Sequence, residues 1–265
     1  MNSDAEFWRG LCPDLRIEGE AAPVAPAALG DLDAHVRLLH REGYLDQPGA
    51  LATDLVARLA AAIARLHAAG IPLGYAAVYD EVWRAYASLG PLLAAVLGPR
   101  FSALPAFWAW HVVPSDDAHG WRPHRDRSPI RTVADDGTPA SLTVWLALTD
   151  ATPLNGCIHV VPMHLDEDRV KMRRPATPTV ERPQDVRALP AAAGGVVAWN
   201  QGLLHWGGRA SARAAGPRTS CALELQRGDR PPLDRPLIDL ERPPGFRERL
   251  ALAARLVERY RHMMR

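Results

Sequence analysis

Along residues 141–149, SLTVWLALT, the side chains Leu142, Val144, Leu146 and Leu148 alternate with Ser141, Thr143, Trp145, Ala147 and Thr149. A period of two places alternate residues on opposite faces of a strand, here one apolar face and one mixed face. Short runs of similar texture recur at ALPAFWAWHVV, CIHVVP, GGVVAWN and RTSCALELQ, set apart by Pro, Gly and Asp. Asn155-Gly156, just before Cys157, marks a tight turn between two of them.

Upstream the period lengthens. Leu55, Leu59, Ile63 and Leu66 recur at helical spacing behind Thr53, the expected N-cap, and ahead of Gly70, the expected stop. A second helical stretch is predicted from about Asp80 to Leu97, broken or restarted at Gly90-Pro91. A terminal helix follows from the stripe Phe246, Leu250, Ala253, Val257, Tyr260 and Met264. Residues up to about Ala28, rich in Pro and Ala without periodicity, read as an arm or surface loop. MRRPATPTVERPQ, within about 170–185, reads as an insertion, either a surface loop or a lid over a site. Helices, then many short strands, then a helix predict a mainly β fold with flanking helices, a sandwich or barrel. With no repeat and no linker, one domain over 1–265 is expected: about 1–100 mainly helical, about 101–228 the β core, and about 229–265 the C-terminal helix.

Composition narrows the partners. Thirty-one Lys and Arg against thirty Asp and Glu leave a formal charge of +1, so no global field attracts nucleic acid or anionic lipid. No apolar stretch reaches the length of a membrane span, and the N-terminus lacks the order of a signal peptide. Three scattered cysteines, Cys12, Cys157 and Cys221, suit a reducing compartment, and a cytoplasmic location is expected. A small molecule is the expected substrate.

Candidate chemistry begins with His-x-Asp. On a strand this spacing puts an imidazole and a carboxylate on one face, where both reach one metal ion. It occurs twice, as His124-Arg125-Asp126 and His164-Leu165-Asp166. The second lies in HLDEDR, which reads as a solvated acidic turn. The first is followed by the 141–149 strand, the Asn155-Gly156 turn and GLLHWGG, whose His205 sits among glycines that let the backbone approach a ligand. Thirteen residues beyond His205, Arg218 and Ser220 alternate onto one strand face with Ala222. A guanidinium beside a hydroxyl suits a carboxylate.

The ordered set PHRD, VWLALTDATPLNGCIHVVP, GLLHWGG and RTS resembles the phytanoyl-CoA dioxygenase family of Fe(II)/2-oxoglutarate oxygenases. The resemblance spans most of Trp108 to Gln226. It implies a double-stranded β-helix, a cupin-like jelly-roll core. His124, Asp126 and His205 would bind Fe(II), Arg218 and Ser220 would hold the C5 carboxylate of 2-oxoglutarate, and Trp145 would lie beside that cosubstrate. The implied activity is a dioxygenase reaction: 2-oxoglutarate and O2 are consumed, succinate and CO2 are released, and an unactivated carbon of the substrate is hydroxylated. An aspartate at 126, where halogenating relatives lack the carboxylate, favours hydroxylation. The chain departs from the family at Met163-His164-Leu165, where Gly-Ser-His is frequent, and at Trp206, where many members carry a small residue.

Trp121, Arg127 and Trp206 flank the proposed ligands and are candidate substrate contacts, while Arg125 should point away by strand alternation. His159, on a strand face with Cys157, could turn toward the pocket; Trp108, Trp110 and Trp199 read as core. Two other readings stay open: a cupin-like metal enzyme that does not use 2-oxoglutarate, and a binding protein with a degenerate site.

Overall fold

The computed structural model describes residues 2–19, 26–116, 120–129, 132–134, 138–170 and 178–260. In chain order the elements are α1 (Ala5–Leu11), α2 (Leu32–Glu42), β1 (Tyr44–Gln47), α3 (Thr53–Ala68), α4 (Asp80–Ala87), α5 (Gly90–Leu97), β2 (Phe101–Val112), β3 (Ser141–Ala147), β4 (Ile158–Val161), the short α6 (Glu167–Val170), β5 (Arg187–Leu189), β6 (Val196–Asn200), β7 (Leu204–Gly207), β8 (Arg218–Arg227) and α7 (Phe246–Arg259). A five-stranded sheet runs β1-β6-β3-β8-β2 and a three-stranded sheet runs β5-β4-β7, with every pairing antiparallel.

Both faces of the central strand β3 are covered, so all seven of its residues are buried. Leu142, Val144 and Leu146 join Leu223 and Leu225 of β8 against a helical layer that includes Leu59, Ile63, Val82, Tyr86 and Leu92. Trp145 and Ala147 point the other way and meet Ile158 and Val160 of the small sheet, together with Trp199 and Ala222. The alternation read from the sequence therefore separates two interiors rather than a core from solvent. The site lies in the second interior, between the sheets.

The N-terminal stretch is not a surface arm. Asp4 caps α1 by accepting from the Glu6 N–H, and Trp8 is fully buried, its indole stacked on Tyr75 at 5.7 Å. Cys12, Leu15 and Ile17 continue into the same core. The helix has only seven residues, too few for a period to emerge. Two further elements escaped the hydrophobic pattern. The helix α2 is capped by Asp31 and closed by Gly43 at φ +84°, and β1 pairs with β6 at the sheet edge. Thr53 opens α3 without capping it, since Ala52 holds the N-cap position with no side-chain bond. Gly90-Pro91 does separate α4 from α5.

On α7 the inward face is centred on Arg249, Leu252, Ala253 and Leu256, with Phe246, Leu250 and Val257 half-buried beside them. The stripe is displaced because Arg249 is fully buried, paired with Asp80 at 2.7 Å and donating to the Ile17 carbonyl at 3.2 Å. Met264 lies outside the described residues, as do 171–177 of the expected insertion. Among the described residues, no helix is long and apolar enough to cross a membrane.

Candidate active site

Residues 120–127 run along the free edge of β7 as an irregular extra strand. The Trp121 N–H donates to the Gly207 carbonyl at 2.9 Å, His124 and His205 exchange both backbone bonds at 3.0 Å, and the Arg127 N–H donates to the Gln201 carbonyl at 2.9 Å. Only His124 forms a β-bridge, so His-x-Asp does not lie on a regular strand. Alternation fails there, and Arg125 lines the cavity instead of pointing away. Its Nη2 donates to Asp166 at 2.5 Å, which places Asp166 in the interior and not in a solvated turn. Its own motif partner His164 stands 3.6 Å from Glu42.

His124, Asp126 and His205 bring one donor atom each within 4.8 Å of one another. His124 Nε2 and His205 Nε2 lie 3.7 and 3.5 Å from Asp126 Oδ1. Each imidazole directs Nδ1 at a carbonyl, Arg122 at 2.8 Å and Leu203 at 3.0 Å. A carbonyl only accepts, so Nδ1 carries the proton and both Nε2 lone pairs face the shared point. Burial holds the His205 imidazolium pKa below the ordinary histidine value, Asp126 opposing, which keeps the ring neutral and fit to ligate. The carboxylate is oriented too: Oδ2 accepts from Thr143 Oγ1 at 2.7 Å and Trp199 Nε1 at 3.0 Å, leaving Oδ1 for the centre.

From the opposite wall β8 presents Arg218, Ser220, Ala222 and Glu224 on one face. Arg218 is buried, its Nη1 donates to Ser220 Oγ at 2.7 Å, and its Nε has no partner. Burial pulls its pKa down to about 10. The Trp145 indole N–H, across the strand pair from Ala222, is likewise buried without a partner. Arg125 Nη1 is a third buried donor without a partner in this lining. Orphaned buried donors are costly unless an acceptor-rich ligand binds, and the distal carboxylate of a dicarboxylate fits that demand at Arg218 and Trp145. Two imidazole nitrogens and a carboxylate oxygen fit non-haem iron.

These groups line a cavity of about 220 Å³ together with Trp108, Trp110, Trp121, Ile158, Trp199, Gly207 and Tyr260. Trp121 is 36% exposed and stands edge-on to Trp110, with ring centroids 6.2 Å apart. The other two substrate candidates are not in the wall. Arg127 lies behind it, bound to Glu224 at 2.5 Å and to Gln201 at 3.0 Å. Trp206 follows His205 on a strand and therefore faces outward, stacked on His159 with planes 13° apart. His159 faces outward with it, its Nδ1 bonded to the Cys157 carbonyl. Sequence reasoning missed Trp108, Trp110, Trp199, Thr143, Glu224 and Tyr260. Strand parity was the available signal, since Glu224 continues the Arg218–Ser220–Ala222 row and Thr143 precedes Trp145 by two.

The model of the phytanoyl-CoA dioxygenase (PhyH) family matches residues 79–218, just over half of the chain. The chain belongs to this family. The match starts beside α4, encloses all three members of the His/Asp/His cluster and ends on Arg218. No curated protein matches the sequence. Among solved structures, similar ones include the epimerase SnoN in complex with Fe3+, α-ketoglutarate and nogalamycin RO, at 19% identity and TM-score 0.53 over 74% of this chain and 83% of that one. AviO1 from Streptomyces viridochromogenes Tue57 is 24% identical, with TM-score 0.58 over 76% of this chain and 97% of its own. EctD from S. alaskensis, solved with 2-oxoglutarate and 5-hydroxyectoine, is 16% identical, with TM-score 0.56 over 84% and 87%. The PhyH fold is thus the cupin-like double-stranded β-helix with flanking helices, as expected from the sequence.

Proposed function

We propose that this PhyH-family protein is an Fe(II)- and 2-oxoglutarate-dependent dioxygenase, a single catalytic domain that hydroxylates an unactivated carbon of a small-molecule substrate. The observation that carries the reading is one cavity in which two imidazole Nε2 atoms and a carboxylate oxygen converge opposite a buried guanidinium short of a partner. His124, Asp126 and His205 would hold the iron, and Arg218 and Ser220 the C5 carboxylate of 2-oxoglutarate. Iron with 2-oxoglutarate and O2 supplies the oxidising power, with succinate and CO2 as by-products.

The chain supplies geometry and dryness. Arg218 meets a carboxylate with a planar fork, and Ser220, whose oxygen already accepts from Arg218, keeps its hydroxyl proton free to donate. The Trp145 N–H adds a second fixed donor. Thr143 and Trp199 keep Asp126 from rotating, and the surrounding indoles exclude water from the reacting carbon. Asp126 fills the ligand position that a halide would need, which favours hydroxylation over halogenation. The net charge near zero argues against a nucleic-acid or membrane partner, and three buried, unpaired cysteines fit a reducing cytoplasm.

Anaerobic addition of Fe(II) and 2-oxoglutarate tests this. A visible metal-to-ligand charge-transfer band is expected in the wild type, absent in His124→Ala and weakened in Arg218→Ala. No band in the wild type overturns the reading in favour of a degenerate binding protein. A metal-bound protein indifferent to Arg218→Ala points to a cupin-like enzyme without 2-oxoglutarate. With a substrate in hand, product mass separates hydroxylation, a gain of one oxygen atom, from epimerisation, which leaves mass unchanged.

A further inference from the structure

The charges facing the cavity are nearly all accounted for. Asp126 belongs to the metal centre and Arg218 to the cosubstrate; Arg125 is paired with Asp166 at 2.5 Å and keeps a buried Nη1 donor without a partner, which suits a hydroxyl oxygen. Glu224 is compensated by Arg127 at 2.5 Å, but from behind: Arg127 is outside the cavity wall, fixed by Gln201, whereas Glu224 is in the wall and 15% exposed. A carboxylate offers about four lone-pair sites, and Arg127 at Oε2 together with Gln201 does not use them all. Glu224 thus keeps acceptor capacity toward the cavity while contributing no net charge to it.

Position sharpens its role. Glu224 is the register partner of Thr143, which holds Asp126, so it stands at the metal end of the β8 row. Arg218 and Ser220 occupy the other end, beyond Ala222. The remaining wall is aromatic. Trp108 and Trp110 run nearly parallel, 15° apart with centroids separated by 6.4 Å, Tyr260 sits edge-on to Trp108 at 4.6 Å, and Trp121 edge-on to Trp110. Indole faces carry partial negative charge and attract the polarised C–H face of a saturated ring as well as a cation. With a metal on Asp126, a cation would find no uncompensated acid among the described lining residues, whereas hydroxyl groups would find acceptors. The cavity, at about 220 Å³, is below the roughly 300–1,000 Å³ usual for small-molecule sites, so only a ring-sized moiety enters beside the cosubstrate.

We propose that the substrate presents an uncharged, hydroxylated ring, such as a sugar or cyclitol unit, to Trp108, Trp110 and Trp121, with its hydroxyls donating to Glu224 as the specificity-determining residue. This rests on the oxygenase reading for which end of the row faces the metal and for a divalent ion on Asp126, so the titrations are run with Zn(II) present. The test is titration of tryptophan fluorescence in the full chain with methyl β-D-glucoside, methyl α-D-mannoside and myo-inositol. Methoxycyclohexane is the hydroxyl-free match and cyclohexyltrimethylammonium the cationic one.

The best hydroxylated probe should bind at least tenfold more tightly than methoxycyclohexane. Glu224→Gln should erase that preference, and Trp110→Leu, which leaves the Glu224–Arg127 pair intact, should weaken the hydroxylated probe severalfold. Equal binding of the hydroxyl-free probe, preference for the ammonium, or binding of none overturns the proposal. If hydroxylated probes bind selectively yet no charge-transfer band forms with Fe(II) and 2-oxoglutarate, the oxygenase reading fails and the ring subsite stands. If the band is normal but the probes are not discriminated, the ring subsite fails and the oxygenase reading stands.

Discussion

Replacing Trp199 by Phe should weaken Fe(II) binding about tenfold. The indole Nε1 is one of two donors to Asp126 Oδ2, at 3.0 Å, the other being Thr143 Oγ1 at 2.7 Å. Together they turn Oδ1 toward His124 Nε2 and His205 Nε2. A hydrogen bond to a charged group contributes roughly 1.5–3 kcal/mol, and 1.4 kcal/mol is tenfold in affinity, so a full loss corresponds to about 10–100-fold. The lower end applies, because the Asp126 side chain is 18% exposed, water can replace the lost donor, and Thr143 remains. Phe keeps an aromatic ring against His205, whose centroid lies 4.6 Å from the indole, so the histidine ligand should stay in place. The assay is anaerobic Fe(II) titration at saturating 2-oxoglutarate, read by the charge-transfer band, with thermal unfolding as the control for folding. Thr143→Val should behave alike, and the double variant should lose more than either. Affinities of both single variants within twofold of wild type would refute the idea that these donors orient the ligand.

Arg218→Ala should raise the 2-oxoglutarate KM by an amount equivalent to roughly 2–5 kcal/mol, the cost of breaking a buried charged pair, while leaving Fe(II) affinity in place; succinate release measures it. Trp206→Ala should leave turnover within twofold of wild type, since that indole packs on His159 outside the cavity, and a large loss would put it back among substrate contacts. Trp8→Ala should cost about 3–5 kcal/mol of stability in urea unfolding, as for other large buried aromatics, whereas an N-terminal arm would cost nothing. Burial lowers the pKa of His111, aided by His67, and burial lowers that of His159. The unfolded chain then binds more protons than the native one just below the unfolded histidine value of about 6.5, so stability is full above that value and falls as pH drops through it. The urea midpoint should be lower at pH 5.5 than at 7.5, with His111→Asn flattening the difference; a rise on acidification would contradict the sign.

What was legible in the sequence follows from what each signal measures. The strands β2, β3, β4, β6 and β8 were readable because side chains of period two sort into two interiors, and the iron-type cluster because three distant motifs occur in one order. The short elements α1 and β1 hold too few residues for a period, whereas α2 spans 11 residues and was overlooked; the markers for the two helices were capping groups, Asp4, Asp31 and Gly43. Arg249 defeated the α7 stripe because burial of a cation depends on Asp80, far away in sequence. Trp108 and Trp110 read as core because an indole on a strand looks the same whether it meets a neighbour or a cavity. Trp206 was misplaced by adjacency to His205, although neighbours on a strand face opposite ways. Arg125 was misplaced by the converse error, parity applied where the backbone is irregular.

That irregular segment raises the question of what fixes His124 and Asp126 outside a regular strand. Backbone bonds tie it to β7 and the turn before it at residues 121, 124 and 127, which sets its register but not the rotation of the chain between those points. The two arginines that flank Asp126 supply the rest. Arg125 reaches Asp166 with 8% of its side chain exposed, and Arg127 reaches Glu224 with 23% exposed. Exposed pairs contribute about 0–1 kcal/mol, but losing one partner of a buried pair costs roughly 3–5 kcal/mol, because the remaining charge is stranded. On that scale the cations of WRPHRDR divide by burial. Arg122 is exposed, whereas Arg125 and Arg127 pin the backbone on either side of Asp126 to different parts of the fold. The basic run thus serves the centre it encloses by anchoring it, although Arg125, unlike Arg127, also lines the cavity with an Nη1 that has no partner.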